Sequence, residues 1–543
     1  MLAAGAGCFA LAACGGANNH RTAAPATGAA SRAAGSAAPS PRSGSPVAGP
    51  GGVSGAATAA AGQKPRTGGT LHAAIASDIT PKTLPHTVSP TNDILSMCVY
   101  DTLIRYQTDQ LIATPELAES WEFNADKSQL SFHLKKGVTF HNGKPLTAAA
   151  VQWNIQRVGQ PEVGSQLLNF AKWVTKAETP DDTTLTLTFD QPRPSIMDMF
   201  ESLFIVEPDS IQDTMDGKRF VGTGPFTFKE WQPGDHYSFT KNASYFKAGQ
   251  PYLDGIESKI IPDAQTQLIN VQSGTADIAF NVALNDAKQL QSDKKYQVIV
   301  PNQWTGLWYV GIDVKAAGLG DRRVRQAIAY AMDRKRMVDT ALFGFGQVTV
   351  LPWAKNSPAY DPALAGAYTY DLAKAKQLLA AAGAASLDLS YTVSNAYPST
   401  HPIAEILQGD LNSIGVKTEI TRLDHPVYLP KLTGGKMNGL WSGVVGFMYM
   451  SPSTLFVQSF PYRVPNSSNF DSPEYRQLIA QTLSAPEAQL PNVYHQLNQL
   501  LIDEAFMLPI TPSSTPAVAN GALRDWLLSR SSRPVLEAVW LNK

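Results

Sequence analysis

Apolar side chains recur along this chain in two patterns, one at every second residue and one at every third or fourth. Between residues 117 and 157, the segment 130–134 alternates apolar and polar residues, which predicts a strand with one buried face. Asn142-Gly143 is a strong turn pair, and Thr147 can cap a following helix. The stretch therefore predicts two short strands, a turn, a third strand, a tight loop and a helix. The apolar face of this helix would carry Val151, Ile155 and Val158.

The same two patterns predict further strands and helices. Strands are expected at 68–76, 184–190, 307–313 and 416–423. Because strands and helices alternate, the expected fold class is α/β, organised in lobes. The expected helices are 93–103, 321–334 with Asp321 as its cap, 371–379, and a helix with the apolar face Ile403, Ile406, Leu407, Leu411 and Ile414 that Gly415 closes.

Length and charge narrow the class of protein. A chain of 543 residues is too long for one ordinary core, so two or three domains are expected. The formal net charge is −1, and residues 15–67 carry basic but no acidic side chains, so the remaining body is acidic. This distribution argues against a nucleic-acid surface. Cys8, Cys14 and Cys98 form no CxxC motif and no disulfide framework.

The first fourteen residues, MLAAGAGCFALAAC, are predicted to be a lipoprotein signal peptide. Residues 11–15, LAACG, resemble a lipobox, in which a peptidase accepts the small residues and the cysteine thiol accepts a diacylglyceryl group. Cys14 is therefore the expected lipidation site, and its acyl chains would hold the protein at a membrane. The apolar run is too short to span a bilayer. No Lys or Arg precedes it, so we expect the true start to lie upstream.

Residues 15–67 are expected to form a disordered tether. They are mostly Ala, Gly, Ser, Pro and Thr, and they include no Leu, Ile, Met, Phe, Tyr, Trp or acid. Such a segment cannot bury enough apolar surface to offset the entropy of ordering it. As a flexible coil it would span roughly 40 Å root-mean-square. Placed after a lipid anchor, it would hold the folded part away from the membrane.

Several motifs together indicate a family. In chain order they are LAESW (117–121), FHLKKG (132–137), FHNG (140–143), GTGPF (222–226) and DRRVRQAIAYAMDR (321–334). Their order and spacing resemble those of the family 5 solute-binding proteins, the peptide- and nickel-type receptors of ABC importers. The chain departs from the family at Ala149 and Ala150, where the family usually has acids. The resemblance extends over roughly 68–512.

This resemblance implies a two-lobed α/β fold of the periplasmic-binding-protein type II, with an extra subdomain in lobe one. Lobe one would comprise 68–306 and 508–543, with the subdomain at about 109–221, and lobe two would comprise 307–507. Ligand would bind between the lobes and be buried as they close about a hinge. The closed form would dock on a membrane permease driven by its ATPase. The implied protein is a monomeric, extracytoplasmic receptor without a cofactor, and not an enzyme.

The segment 439–452 is the expected ligand-binding segment. In peptide-binding relatives it reads g-W-x-x-D, with a second Asp before a Pro, and the first acid pairs with the ligand's α-ammonium. Here Trp441 is present, but Val444 occupies the position of the acid and Ser451 precedes the Pro. A buried ammonium without a counter-charge is costly. The sequence therefore departs from amine-anchored binding, unless an acid from another loop or a shifted alignment restores the pairing.

Aromatic residues supply further candidates for ligand contact. Trp stacks on sugar faces, flat chelates and apolar side chains, although such residues lie as often in a core as in a cleft. The residues expected to contact ligand are Trp304, Trp308, Tyr309, Trp441, Gly443, Val444 and Phe447.

Three functions are compatible with these patterns. The first is a receptor that captures a peptide-like solute or oligopeptide for an ABC permease. The second is the same receptor for a ligand without a free amine, such as an oligosaccharide, a metal chelate or a tetrapyrrole. The third, a secreted serine hydrolase with Ser292 in an S-x-x-K sequence, lacks the other motifs of such enzymes. His133 and His141 come without Cys or carboxylate at ligand spacing, so no metal site is expected.

Overall fold

The computed structural model describes residues 63–83, 92–280, 282–301, 305–446, 448–513 and 515–543. Cys14, Trp304 and Phe447 lie outside these residues, as do the predicted signal peptide and all but the last five residues of the predicted tether. Within the described segments, no helix combines the length and the apolar character needed to cross a membrane.

Among the residues that the structure describes, the strands fall into three larger sheets and two short ribbons. They are β1 (Thr70–Ile75), β2 (Ile104–Tyr106), β3 (Ala113–Pro115), β4 (Ala118–Phe123), β5 (Gln129–Leu134), β6 (Val174–Asp181), β7 (Thr184–Phe189), β8 (Phe226–Gln232), β9 (His236–Lys241), β10 (Gly255–Ile260), β11 (Ile278–Ala279), β12 (Tyr296–Ile299), β13 (Gly306–Ile312), β14 (Leu387–Ser394), β15 (Val416–Leu423), β16 (Leu440–Val445), β17 (Met507–Ser513), β18 (Ala517–Asn520), β19 (Leu523–Arg524) and β20 (Trp540–Leu541).

The helices connect and cover these strands. They are α1 (Asp93–Val99), α2 (Ala148–Val158), α3 (Leu168–Ala171), α4 (Met197–Ser202), α5 (Ile211–Met215), α6 (Ala264–Ser273), α7 (Leu284–Leu290), α8 (Arg322–Ala331), α9 (Arg334–Arg336), α10 (Leu372–Ala381), α11 (Thr400–Ser413), α12 (His425–Thr433), α13 (Pro452–Gln458), α14 (Pro473–Ser484) and α15 (Leu490–Glu504).

The first large sheet has the order β12-β18-β11-β1-β10-β9-β8. Its central strand β1 runs parallel to β10 and β11, and the outer pairs are antiparallel. Because β18 belongs to this sheet, the chain returns to it after the second large sheet is complete. The buried side chains of this core include Leu71, Phe239 and Ile256.

A four-stranded antiparallel sheet, β4-β5-β7-β6, is inserted after β1 and packs with α2. Leu130, Phe132 and Leu134 are buried on one face of β5, which confirms the predicted alternation. The Thr147 hydroxyl accepts from the Ala150 N–H at 3.2 Å, so the predicted cap of α2 is confirmed. The third strand predicted for this stretch is wrong, because in this part of the described chain only an isolated bridge joins Thr139 and Pro145.

The second large sheet has the order β15-β14-β16-β13-β17. Strands β14, β15 and β16 are parallel, whereas β13 is antiparallel to both of its neighbours. The division of the chain into two lobes at fixed residues stays a proposal. Because β17 pairs with β13, we propose that the chain returns to lobe one after Ser513 rather than at 507.

The local sequence sets where one helix begins, and a tertiary contact sets where another helix ends. Asp321 caps α8 by accepting from the Arg323 N–H at 2.8 Å, as predicted. The helix predicted at 93–103 is too long, since α1 ends at Val99. The Val99 carbonyl accepts from the Gly224 N–H at 2.9 Å, and a Cβ on Gly222 would overlap that carbonyl. A tertiary contact therefore takes the place of the next helical turn.

Candidate functional site

One edge of the second large sheet collects one end of each of its five strands. The carboxyl ends of β14 and β16 lie beside the start of β13 and the end of β17, where Gly306 pairs with Ser513 and Trp308 pairs with Val444. The chain enters and leaves this sheet at the same edge. Ligands of open α/β sheets bind at the carboxyl ends of the strands. This edge is therefore the candidate site.

Four rings pack against one another in a row at this edge, which we call the aromatic wall: Trp308, Tyr397, His425 and the buried Tyr428. The Trp308 and Tyr397 centroids are 6.4 Å apart at 89°, and those of Tyr397 and His425 are 5.6 Å apart at 87°. His425 and Tyr428 are stacked, with centroids 6.3 Å apart. Trp308, Tyr397 and His425 are half-buried, so the wall can offer ring faces and edges to a ligand.

A tightly packed layer lies beneath the wall. The Trp441 indole N–H donates to the Tyr309 hydroxyl at 3.3 Å, and both side chains are fully buried. A Cβ on Gly443 would lie 3.0 Å from the hydroxyls of both Tyr309 and Tyr428, so the absence of a side chain allows this approach. The Tyr428 hydroxyl donates to the Ser442 carbonyl at 2.9 Å. These contacts hold Tyr428, the buried ring of the wall, against the sheet.

The predicted contact residues are divided between these two layers. Trp308 and Val444 are half-buried at the edge, whereas Tyr309, Trp441 and Gly443 are buried in the sheet. Their contact with ligand stays a prediction. As fully buried residues, Tyr309 and Trp441 belong to the layer beneath the wall, and burial raises the pKa of the Tyr309 hydroxyl, so this hydroxyl stays neutral.

A polar cavity adjoins the wall at the end of β14. It has a volume of about 300 Å³, and Ser394, Asn395, His401 and Arg422 contribute its polar lining. The Ser394 hydroxyl lies 3.3 Å from His425 Nδ1, which connects the cavity to the wall. Arg422 is exposed there. The cavity therefore places a guanidinium and an imidazole beside the aromatic surface.

A carboxylate also lies at this edge, although the sequence analysis did not single it out. Asp424 directly precedes His425 of the wall and is exposed. Its carboxylate accepts from the Asn395 amide at 2.8 Å. Its position between the end of strand β15 and the start of helix α12 could have identified this carboxylate in the sequence. An acid from another loop is therefore available at the wall.

The structure explains why a serine can stand at position 451. The Ser451 N–H and hydroxyl both donate to the Asp198 carboxylate of α4 at 3.0 Å. Tyr106 donates to the same carboxylate at 2.7 Å, and Thr454 completes the set. An aspartate at 451 would face Asp198 at short range and repel it. Ser451 therefore binds another part of the chain.

The other chemical candidates show no assembled centre. The Ser292 hydroxyl is exposed and donates to the Gln289 carbonyl at 3.4 Å. His141 Nε2 lies 2.9 Å from the Gly224 carbonyl, and burial lowers the pKa of this histidine, whereas His133 is exposed on β5. Among the described residues, no group of three or more His, Cys, Asp and Glu could hold a metal ion.

Comparison with known proteins identifies the family. Residues 113–464 match the family model described as bacterial extracellular solute-binding proteins, family 5 Middle. The chain belongs to this family. The heme-binding protein A of Haemophilus influenzae is 27% identical over 461 residues, covering 77% of this chain and 82% of that protein. The glutathione-binding protein GsiB of Pectobacterium atrosepticum is 26% identical over 419 residues, covering 73% and 80%.

A solved structure supports the same fold. The ABC transporter substrate-binding protein CtaP of Listeria monocytogenes superposes with a TM-score of 0.78 at 21% identity, covering 88% of this chain and 100% of that one. The predicted family and the two-lobed α/β fold class are confirmed. Family membership also makes the chain an extracytoplasmic solute-binding receptor and not an enzyme.

Proposed function

We propose that this receptor captures a peptide-like solute at the aromatic wall and delivers it to the permease of an ABC importer. The observation that carries the proposal is the half-buried wall at the edge where the chain enters and leaves the second sheet. Rings can stack on the side chains and amide planes of a peptide. The glutathione-binding relative GsiB supports a ligand of this class.

Two opposite charges beside the wall match the two ends of such a solute. Asp424 is placed to accept an ammonium, and Arg422 in the adjoining cavity is placed to bind a carboxylate. Asp424 would thus supply the counter-charge that Val444 does not.

A specific observation favours a second candidate, a solute without a free amine. Val444 offers no charge, and Ser451 is engaged by Asp198. A flat solute with acidic groups would use the wall and the Arg422 cavity while leaving Asp424 unused. The heme-binding relative supports this candidate.

Calorimetry with paired peptides separates the two. We expect a short peptide with a free amine to bind, and its N-acetylated form to bind at least roughly tenfold more weakly, as the loss of one charge-assisted pair predicts. Asp424→Asn should weaken only the free peptide, and the matched control Asp388→Asn, at the opposite end of β14, should weaken neither. Equal binding of both peptides would favour the second candidate. Binding of neither would exclude the peptide proposal.

We further propose that Cys14 carries a lipid anchor and that residues 15–67 tether the receptor to the cell membrane as a monomer. The lipobox-like sequence supports the anchor, and the small-residue composition supports the tether. Cys14→Ala should release the protein into the medium. Retention of that variant at the membrane would contradict the anchor, and a dimer mass in light scattering would contradict the monomer.

A further inference from the structure

A second cavity, of about 400 Å³, lies between the inserted four-stranded part and the helices that connect β16 to β17. Asn169 of α3 lines it on one side, and Phe456 and Val457 of α13 line it on the other. The Asn169 amide donates to Gln458 Oε1 at 3.3 Å, so the two sides are in direct contact. The lining includes none of the residues of the aromatic wall or of the Arg422 cavity.

Arg463 gives this cavity a positive charge. Its guanidinium lies 4.3 Å from the centroid of the Phe460 ring, which holds it in place. Across the described residues, no carboxylate lies within 4.0 Å of this guanidinium, whereas Arg476 on the same cavity is held by Asp471 at 2.7 Å. Arg463 is half-buried, and this burial lowers its pKa. A half-buried cation without a counter-ion is unfavourable, and an anion would relieve it.

Gln458, which accepts from the lining residue Asn169 and follows the lining residue Val457, has a donor that the described residues leave unused. Gln458 is 9% exposed, and its amide Nε2 is buried without a hydrogen-bond partner among the described residues. Buried donors in folded proteins nearly always have an acceptor. Together with Arg463, this amide calls for a ligand that brings acceptor oxygens.

The rest of the lining is apolar. Val457, Val464 and Ile479 are half-buried, so they offer surface that a ligand could cover, and Phe456 closes the lining as a buried ring. Binding pockets for small molecules typically combine such an apolar surface with a few polar groups that set the orientation. The volume suits a ligand of a few carbon atoms.

We propose that this cavity binds a small monocarboxylate with a short apolar chain, its carboxylate on Arg463 and its chain against Val457, Val464 and Ile479. The site is separate from the proposed solute site. Because Asn169 and Phe456 line it from two parts of the chain, a bound carboxylate would strengthen the contact between those parts.

The test is calorimetric titration of the full chain with hexanoate and with hexanamide, which has the same shape but no charge. We expect one hexanoate per chain and at least tenfold weaker binding of hexanamide. Arg463→Met should weaken hexanoate roughly ten- to hundredfold, as the loss of a charged hydrogen bond predicts. Arg463→Lys should restore part of the affinity, because it keeps the charge but not the fork of donors. Arg219→Met, at an exposed arginine paired with Asp213, is the matched control and should bind like the parent.

A filling variant tests the location independently of charge. Ile479→Trp should abolish hexanoate binding and leave any solute bound at the aromatic wall unaffected. Four results would overturn the proposal: hexanamide binding as tightly as hexanoate, Arg463→Met binding like the parent, hexanoate competing with the solute of the wall, or no hexanoate binding at about 10 mM, where a millimolar site would be occupied. If the peptide titrations fail, the comparison with hexanamide, the Arg463→Met variant and the titration at about 10 mM still test this proposal, because they do not require a solute at the wall.

Discussion

The carboxylate of Asp198 joins two distant parts of the chain, and its replacement is the sharpest test of the packing. Asp198→Asn keeps the size of the side chain but removes its charge and one acceptor oxygen. The carboxylate accepts from the Tyr106 hydroxyl at 2.7 Å, from the Ser451 N–H and hydroxyl at 3.0 Å each, and from Thr454. It is fully buried, and burial raises its pKa despite these four donors.

The expected cost follows from the geometry. An asparagine amide presents its NH₂ group to at least one of the four donors, so one or two bonds to a charged acceptor are lost. Each such bond contributes about 1.5–3 kcal/mol, and relief from burying the charge offsets part of that. We therefore expect the unfolding free energy to fall by about 2–4 kcal/mol.

Urea unfolding followed by tryptophan fluorescence measures this change. Asp209→Asn is the matched control, because that carboxylate is 81% exposed and forms only a surface ion pair with Lys144, which should contribute little. If Asp198→Asn unfolds within about 0.5 kcal/mol of the parent protein, the carboxylate does not hold the two parts together and the reasoning is refuted.

Three further predictions concern acid, packing and ligand. Burial raises the pKa of Glu201 to about 7, so the folded state keeps a proton that the unfolded chain has lost. The unfolding free energy should therefore rise as the pH falls from about 8 to about 5.5. Glu201→Gln should reduce this rise in urea titrations, and an unchanged dependence of the unfolding free energy on pH would contradict the prediction. Gly311→Ala should cost about 1–3 kcal/mol in the same assay, because its Cβ would overlap the Trp441 ring, whereas Gly366→Ala, in open space, should be neutral. Tyr397→Ala should weaken solute binding roughly three- to tenfold in calorimetry, because it removes two edge-to-face contacts of the wall. Undiminished affinity would show that the wall does not bind the solute.

Local structure was largely predictable from the sequence, because the signals are local. The caps at Thr147 and Asp321 need only the residues that follow them. The strand predicted at 416–423 has those bounds in the structure, since Gly415 ends α11 with a φ of 91° and the alternation begins at once. The helix at 93 was predicted too long because its end depends on Gly224, more than a hundred positions away.

Long-range contacts were not predictable in this way. Arg105 pairs with Glu537 at 2.7 Å across 432 positions, and Lys247 joins the same carboxylate at 2.7 Å. Burial acts to raise the pKa of Glu537, but these two cations outweigh it and lower the pKa to about 2. No pattern in a single sequence indicates which of its many charges meet in this way.

The candidate site was predictable in part. The sequence singled out Trp308 and Val444, which lie at the edge, but also Trp441, which the structure places in the core beneath it. An indole in a sheet has the same sequence pattern whether it faces a core or a cleft. Tyr397, Asp424 and His425 were missed because they follow the ends of β14 and β15, in a connecting segment or at the start of α12, where only the assembled sheet shows that they meet.

The central claim, that this protein is a receptor for a peptide-like solute, is tested most directly by native mass spectrometry of the protein purified from its own cells without unfolding. The account predicts one noncovalent solute per chain, with a series of peptide masses, and a smaller solute-bound fraction in Tyr397→Ala. A bare protein mass, together with no rise in melting temperature across a panel of short peptides, would contradict it.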